Sequence, residues 1–164
     1  MITTGRPDSS ATKTEVVDVV NGETCADLAD FPLENECAVG VNLHGTPIVC
    51  GGRKHPTYYR TCYKYSNTGW QQFASMKEKR SHAAGVMHKN KFHVFGGYAD
   101  GSRSKTTELI SIDGGVEYGP ELPEAVWQHA ITSINSTVSL LSGGSTDDTD
   151  YSPLSWLSLI HISE

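Results

Sequence analysis

The chain lacks any apolar run approaching the roughly 20 residues that a bilayer-crossing helix needs, so no membrane span is expected. It lacks a basic excess. Thirteen Lys and Arg stand against 19 Asp and Glu, for a net charge of −6, which argues against a general nucleic-acid or anionic-membrane binder with its broad basic face. No window carries an i, i+3, i+4 apolar stripe, so helices are not expected. Catalytic signatures are also missing: there is no H-E-x-x-H, G-x-S-x-G, P-loop or G-x-G-x-x-G. No C-x-x-C or Cys/His pattern has zinc-site spacing. The first residues, Met1 to Pro7, carry neither a basic n-region nor an apolar h-region. What is present is a globular composition of one ordinary domain's length: 164 residues, 37% hydrophobic, 20% charged, with a mean hydropathy of −0.36. Glycine is the abundant residue, at 16 copies, and many come in pairs.

Those pairs keep a period. Pro47-Ile48-Val49-Cys50-Gly51-Gly52, Phe92-His93-Val94-Phe95-Gly96-Gly97 and Ser139-Leu140-Leu141-Ser142-Gly143-Gly144 repeat at spacings of 45 and 47 residues, with Thr4-Gly5 one period earlier. Other marks keep the same beat. Turn residues recur at Asn21-Gly22, Asn67 to Gly69 and Asp113-Gly114, and apolar exits at Phe31-Pro32, Met76 and Leu122-Pro123. Short polar hairpins recur at Asn42 to Gly45, His88 to Lys91 and Asn135-Ser136, and His82-Ala83-Ala84 is echoed by His129-Ala130. Within one period the residues read as four short strands: Ser81 to Met87, Lys91 to Phe95, Lys105 to Ile112 and Gly115 to Tyr118. Each is rich in β-branched or aromatic residues and bounded by Gly, Asn or Asp. The expected class is all-β, in four-stranded antiparallel units of about 46 residues, the size of a propeller blade.

These residues resemble the Kelch repeat β-propellers. The likeness rests on the glycine pair closing the second strand, on Tyr63 followed by Trp70 after six residues, and on Arg80-x-His82 at the start of the next unit. It covers residues 3–156 and departs from the pattern where Cys25 stands in place of Trp70 and where the third unit has Glu117-Tyr118. The resemblance implies an incomplete Kelch-type propeller over residues 1–156, with repeat boundaries near 35–36, 81–82 and 128–129. Gly51, Gly52, Gly96, Gly97, Gly143 and Gly144 would then serve close backbone approach, and Tyr63 and Trp70 would pack between blades. Thr14-Glu15-Val16-Val17 matches Thr107-Glu108-Leu109-Ile110 two periods on, which suggests alternating blades and an even blade number. A closed disc needs about 4 to 8 blades and the repeats here number just over three, so further blades are expected in the full-length protein. Residues 157–164 resemble a translated sequencing adapter and are set aside as a non-native tail; a true apolar strand is the alternative, since Leu157 to Ile160 alternate.

The four cysteines, Cys25, Cys37, Cys50 and Cys62, all fall in the first 62 residues and allow three pairings. Cys50 ends one expected strand and Cys62 begins its antiparallel neighbour, so a cross-strand bridge is plausible there, and Cys25 with Cys37 could close a short step. The Cys-Gly-Gly and Cys-Tyr pattern resembles a group of extracellular Kelch proteins. The competing reading makes each cysteine a packing residue, with Cys25 in place of Trp70, Cys37 of Ala83 and Cys50 of Phe95. Asn135-Ser136-Thr137 is an N-glycosylation sequon in an expected turn. The seven histidines form no ligand pattern, and the paired positions of His82 and His129 favour a structural role. Asp147, Asp148 and Asp150 read as a solvated acidic loop.

Function is expected to lie in the connectors after each glycine pair, since propellers display such loops on a rigid frame. The candidate binding residues are Arg53, His55, Tyr58, Tyr59, Arg60, Tyr98, Asp100 and Arg103, with the stretch Ser145 to Tyr151 as the third loop. They are residue types that protein interfaces favour. The reading is a non-catalytic protein-binding module of a larger secreted or cell-surface protein, with an unknown protein partner and with no cofactor, metal, nucleic acid or membrane span. One alternative is a fragment of a cytosolic BTB–Kelch substrate adaptor. Another is an enzyme of the galactose-oxidase type, whose copper ligands and Cys–Tyr crosslink these spacings do not supply.

Overall fold

The computed structural model describes residues 2–3, 12–17, 20–21, 24–135, 138–146 and 158–161. Among them every regular element is a strand. The chain runs β1 (Ile2–Thr3), β2 (Glu15–Val17), β3 (Thr24–Asp27), β4 (Val39–Leu43), β5 (Thr46–Cys50), β6 (Arg53–Lys54), β7 (Thr57–Tyr58), β8 (Thr61–Ser66) and β9 (Gly69–Ser75). It continues with β10 (Ala84–His88), β11 (Lys91–Phe95), β12 (Tyr98–Ala99), β13 (Ser102–Arg103), β14 (Thr107–Ser111), β15 (Val116–Tyr118), β16 (Trp127–Ser133), β17 (Val138–Ser145) and β18 (Ser158–His161).

Two sheets have four strands, ordered β4-β5-β8-β9 and β10-β11-β14-β15, and every pairing in them is antiparallel. Sheets of three strands flank them, β1-β2-β3 before and β16-β17-β18 after. In both complete blades the connection from the second to the third strand carries its own two-stranded ribbon, β6-β7 and β12-β13. The sequence period is thus one blade. The boundaries near 35–36 and 81–82 fall in links between blades, whereas 128–129 falls inside β16. The segment 158–161, set aside from the fold on its sequence, pairs with β17 from Val138↔His161 to Leu141↔Ser158 and takes the third-strand place of its blade.

The core lies between blades. One cluster joins Leu43, Ile48, Cys50, Cys62 and Met76 of one blade to Phe92, Val94 and Ile110 of the next. A second joins Phe95 to Leu122, Val126 and Leu141. A sheet covered on both faces needs no polar alternation, and β11 shows the result: Phe92, His93, Val94 and Phe95 are all fully buried. The recurrent apolar exits close these layers, with Phe31, Met76 and Leu122 all buried. Phe31 meets Tyr63 and Trp70 edge-on at 5.1 Å each. The Trp70 indole N–H reaches back to Thr14 Oγ1 at 3.1 Å, so Trp70 sits against the preceding blade.

The glycine pairs mark where one blade's link presses on its neighbour. A β-carbon on Gly51 would stand 2.4 Å from the Arg80 carbonyl oxygen, and one on Gly96 would stand 2.5 Å from that of Val126. Both glycines also have positive φ, 65° and 56°. Gly143 differs, since a β-carbon there meets nothing within 4 Å.

Cys50 and Cys62 face each other across β5 and β8 and are joined by a disulfide, both fully buried. The second pairing is not formed: Cys37 is a free thiol. Its carbonyl accepts the His82 N–H at 2.9 Å, and this fixes its backbone toward the next blade. The bridge closes the base of the loop that carries β6 and β7. The corresponding loop of the next blade is held by a cation instead: Arg80 donates through Nη1 to the carbonyls of Gly96 (2.7 Å) and Thr106 (3.0 Å). At Arg80's place one blade earlier stands Asn35, whose amide reaches only the Gly51 carbonyl, at 2.9 Å. The disulfide therefore supplies the closure that Asn35 cannot. Replacing both cysteines by alanine is expected to lower stability by about 3 kcal/mol, from the loop entropy restored to the unfolded chain, and to expose the β6–β7 amides to exchange first. Urea unfolding with hydrogen exchange checks both expectations.

Candidate binding face at one end of the blades

The first strand of each blade starts at the same end of the molecule. At this end Glu36 bridges Arg53, Ser81 bridges Tyr98, and Trp127 pairs with Ser145. The strands then run away from it, turn at polar hairpins, and return to the glycine pairs. The loops after Gly52 and Gly97 therefore converge on the starts of β4, β10 and β16. We call this end the mouth.

Three residues just ahead of or inside these starts, one per blade, share a left-handed backbone: Cys37 (φ 57°), His82 (φ 52°) and Gln128 (φ 55°). They form a ladder, with the His82 N–H donating to the Cys37 carbonyl at 2.9 Å and the Gln128 N–H to the His82 carbonyl at 3.0 Å. This fixes the repeat register and corrects the sequence alignment by one residue. His82 corresponds to Gln128 and Cys37, not to His129, and His129 occupies the place of Ala83. Cys37 accordingly takes the place of His82 rather than that of Ala83.

Around the ladder the aromatic residues of three blades touch. Tyr58 lies 6.0 Å from Tyr98, Tyr98 lies 5.1 Å from Trp127, and Trp127 lies 5.1 Å from His82. Arg53 Nε donates to Glu36 Oε1 at 2.8 Å beside them. Arg103 reaches across to the Thr146 carbonyl at 3.1 Å, linking the β12–β13 ribbon to the following blade. Of the expected binding residues, Arg53, Tyr58, Tyr98 and Arg103 are thus gathered at the mouth. His55 is exposed at the β6–β7 turn. Tyr59 is held mainly by its backbone, its N–H on Gly52 and its carbonyl on the Arg80 N–H. Arg60 lies exposed at the base of the loop, and Asp100 pairs with Lys79 at 3.3 Å on the surface. Asp147, Asp148, Asp150 and most of the third loop lie outside the described residues.

Glu36, His82 and Trp127 were not among the candidates. The sequence carries them only through the ladder register, which the His82/His129 echo obscured. Burial pushes the Cys37 thiol up, reinforced by the Glu36 charge, and pushes the His82 imidazole down, reinforced by Arg53. Both groups are therefore neutral near pH 7. Among the described residues no group of three His, Cys, Asp or Glu side chains could hold a metal ion, and no helix is long and apolar enough to cross a membrane.

No protein-family model and no curated protein matches the sequence. Among solved structures the chain is similar to that of YjhT, with a TM-score of 0.75 at 14% sequence identity. The fold is that of β-propeller blades. The match covers 94% of this chain and 60% of YjhT, so the chain spans well under the whole of that structure.

Proposed function

We propose that the chain is a non-catalytic protein-binding module of the Kelch propeller type, carried by a larger secreted or cell-surface protein, and that it binds its partner at the mouth. The gathering of Tyr58, Tyr98, Trp127 and His82 from three blades, with Arg53 and Glu36 beside them, carries this reading. Aromatic and Arg side chains on a rigid frame supply contact area at little entropic cost, the pattern of interface hot spots. The Tyr63 and Trp70 spacing and the glycine pairs support the Kelch assignment. The buried Cys50–Cys62 bridge supports an oxidising compartment.

The test is a comparison of variants on immobilised protein offered to an extracellular proteome. His55→Ala with Tyr58→Ala is expected to weaken capture of the wild-type partner at least 10-fold with the melting temperature unchanged, since hot-spot truncations cost about 2 kcal/mol or more. Ile112→Ser, at the opposite end, is expected to leave capture intact. Equal capture by the His55/Tyr58 variant would remove the mouth as the binding face.

A further inference from the structure

The end opposite the mouth carries the first-to-second and third-to-fourth strand turns. β16 leaves the mouth at Trp127 and reaches this end at Ser133, about 20 Å away at roughly 3.3 Å per residue. The turn that follows holds Ile134 and Asn135, both exposed. The N–H groups of Ile134 and Asn135 donate to the Val138 carbonyl at 2.9 and 3.2 Å. The Asn135 side-chain oxygen accepts the Val138 N–H at 2.9 Å, a bond that anchors the carboxamide to its own hairpin. The Ser133 hydroxyl ties the hairpin to the Met87 carbonyl of the neighbouring blade at 3.3 Å.

Sequence, position and redox chemistry agree at this turn. Asn135 begins the run Asn135-Ser136-Thr137, the acceptor pattern for N-linked glycans. Asn135 is exposed, as the acceptor of a bulky, hydrated group must be. Cys50 and Cys62 are bridged, and such bonds persist along the secretory route, which is also where that glycan is attached. The same end exposes the aliphatic residues Val20, Ile112 and Ile134, at 91%, 40% and 55%. A hydrated glycan rooted beside Ile134 would cover apolar surface that otherwise faces water.

We propose that Asn135 is an N-glycan acceptor whose glycan occupies the end opposite the mouth. The donor class is a lipid-linked oligosaccharide diphosphate. The bond from the first sugar's C1 to the diphosphate oxygen breaks, C1 bonds to the Asn135 amide nitrogen, that nitrogen loses one proton, and the lipid diphosphate leaves. No oxidant or reductant enters. The Cys50–Cys62 pair and the glycan thus mark one cellular route, and the mouth stays uncovered.

The experiment expresses the full chain behind an exogenous leader in a eukaryotic secretory host. Wild-type protein is expected to carry one glycan that an amide-cleaving glycosidase removes, leaving aspartate at 135 by mass spectrometry. Asn135→Gln and, separately, Thr137→Ala are each expected to abolish it. The second variant leaves the Asn135 side chain and its acceptor oxygen in place, so a folding defect in the first does not hide the result. Chains retained in the cell are analysed with secreted ones, because transfer precedes export. Unmodified Asn135 in wild-type chains that entered the secretory route overturns the proposal, as does a glycan that survives Thr137→Ala. Neither result depends on what binds at the mouth, so the two readings fail separately.

Discussion

Arg80→Met is expected to cost about 3–5 kcal/mol of folding stability, the penalty for breaking a buried ion pair from one side. Arg80 and Glu108 are both fully buried and joined through Nη2 to Oε1 at 2.9 Å and through Nε to Oε1 at 3.3 Å. The guanidinium also gives Nη2 to Thr106 Oγ1 at 2.6 Å, besides its two carbonyl bonds from Nη1. Glu108 in turn accepts the backbone N–H groups of Lys77 (2.6 Å) and Glu78 (3.1 Å). The pair therefore pins the link leaving one blade to the third strand of the next. Methionine leaves the carboxylate buried without its cation, and the link loses its hold on the Gly96 loop. A double substitution, Arg80→Met with Glu108→Met, removes both charges. It is expected to cost less than the sum of the two single changes, because each single change strands a charge. Urea unfolding of the four proteins settles the point. A single Arg80→Met loss below about 1 kcal/mol, the range of an exposed pair, would mean that the cluster does not hold the blades together.

The second large effect is acid sensitivity. Burial holds His93 down to about 3, with the nearby His88 adding to it, and burial holds His129 down to about 4. His93 Nε2 lies 2.8 Å from Thr107 Oγ1, and that hydroxyl donates to the Pro120 carbonyl, also at 2.8 Å. Its single proton being spent there, the hydroxyl accepts from His93, which assigns the proton of the neutral ring to Nε2. The folded chain thus resists protonating two rings that the unfolded chain protonates near pH 6.5. Both folded values lie below the unfolded one, so stability is full above about pH 6.5 and falls as the pH drops toward 4 and 3. Within that window each ring costs about 1.36 kcal/mol for every pH step of one, so the two together account for about 4–5 kcal/mol lost between about pH 7 and pH 4.5. His93→Gln with His129→Gln is expected to flatten the stability curve across that window, whatever it does to stability at pH 7. Parallel curves for parent and variant would assign the acid loss to other groups.

Much of the fold was legible because propeller blades impose recurrent physical demands. The glycine pairs show as a period because a side chain at Gly51 or Gly96 would collide with a neighbouring carbonyl. Phe31, Met76 and Leu122 show because each blade needs an apolar plug at its exit. The register at the mouth was harder to read. Cys37, His82 and Gln128 share a backbone geometry but no side-chain chemistry, so composition could not align them, and the chance neighbour His129 drew the match one residue away. Asn35 in place of Arg80 was hidden likewise, since its link to the disulfide appears only when the two loops are compared in space. The apolar alternation of Leu157 to Ile160 was visible, yet its adapter-like spelling outweighed it, and the backbone at 158–161 pairs as a strand all the same.

The ladder of Cys37, His82 and Gln128 is written in main-chain atoms alone. A thiol, an imidazole and a carboxamide occupy the same rung on successive blades without altering how the rungs join. Scaffold and lettering are therefore decoupled at this collar: its chemistry can be rewritten blade by blade, by evolution or by an engineer, while the joinery beneath stays as it is.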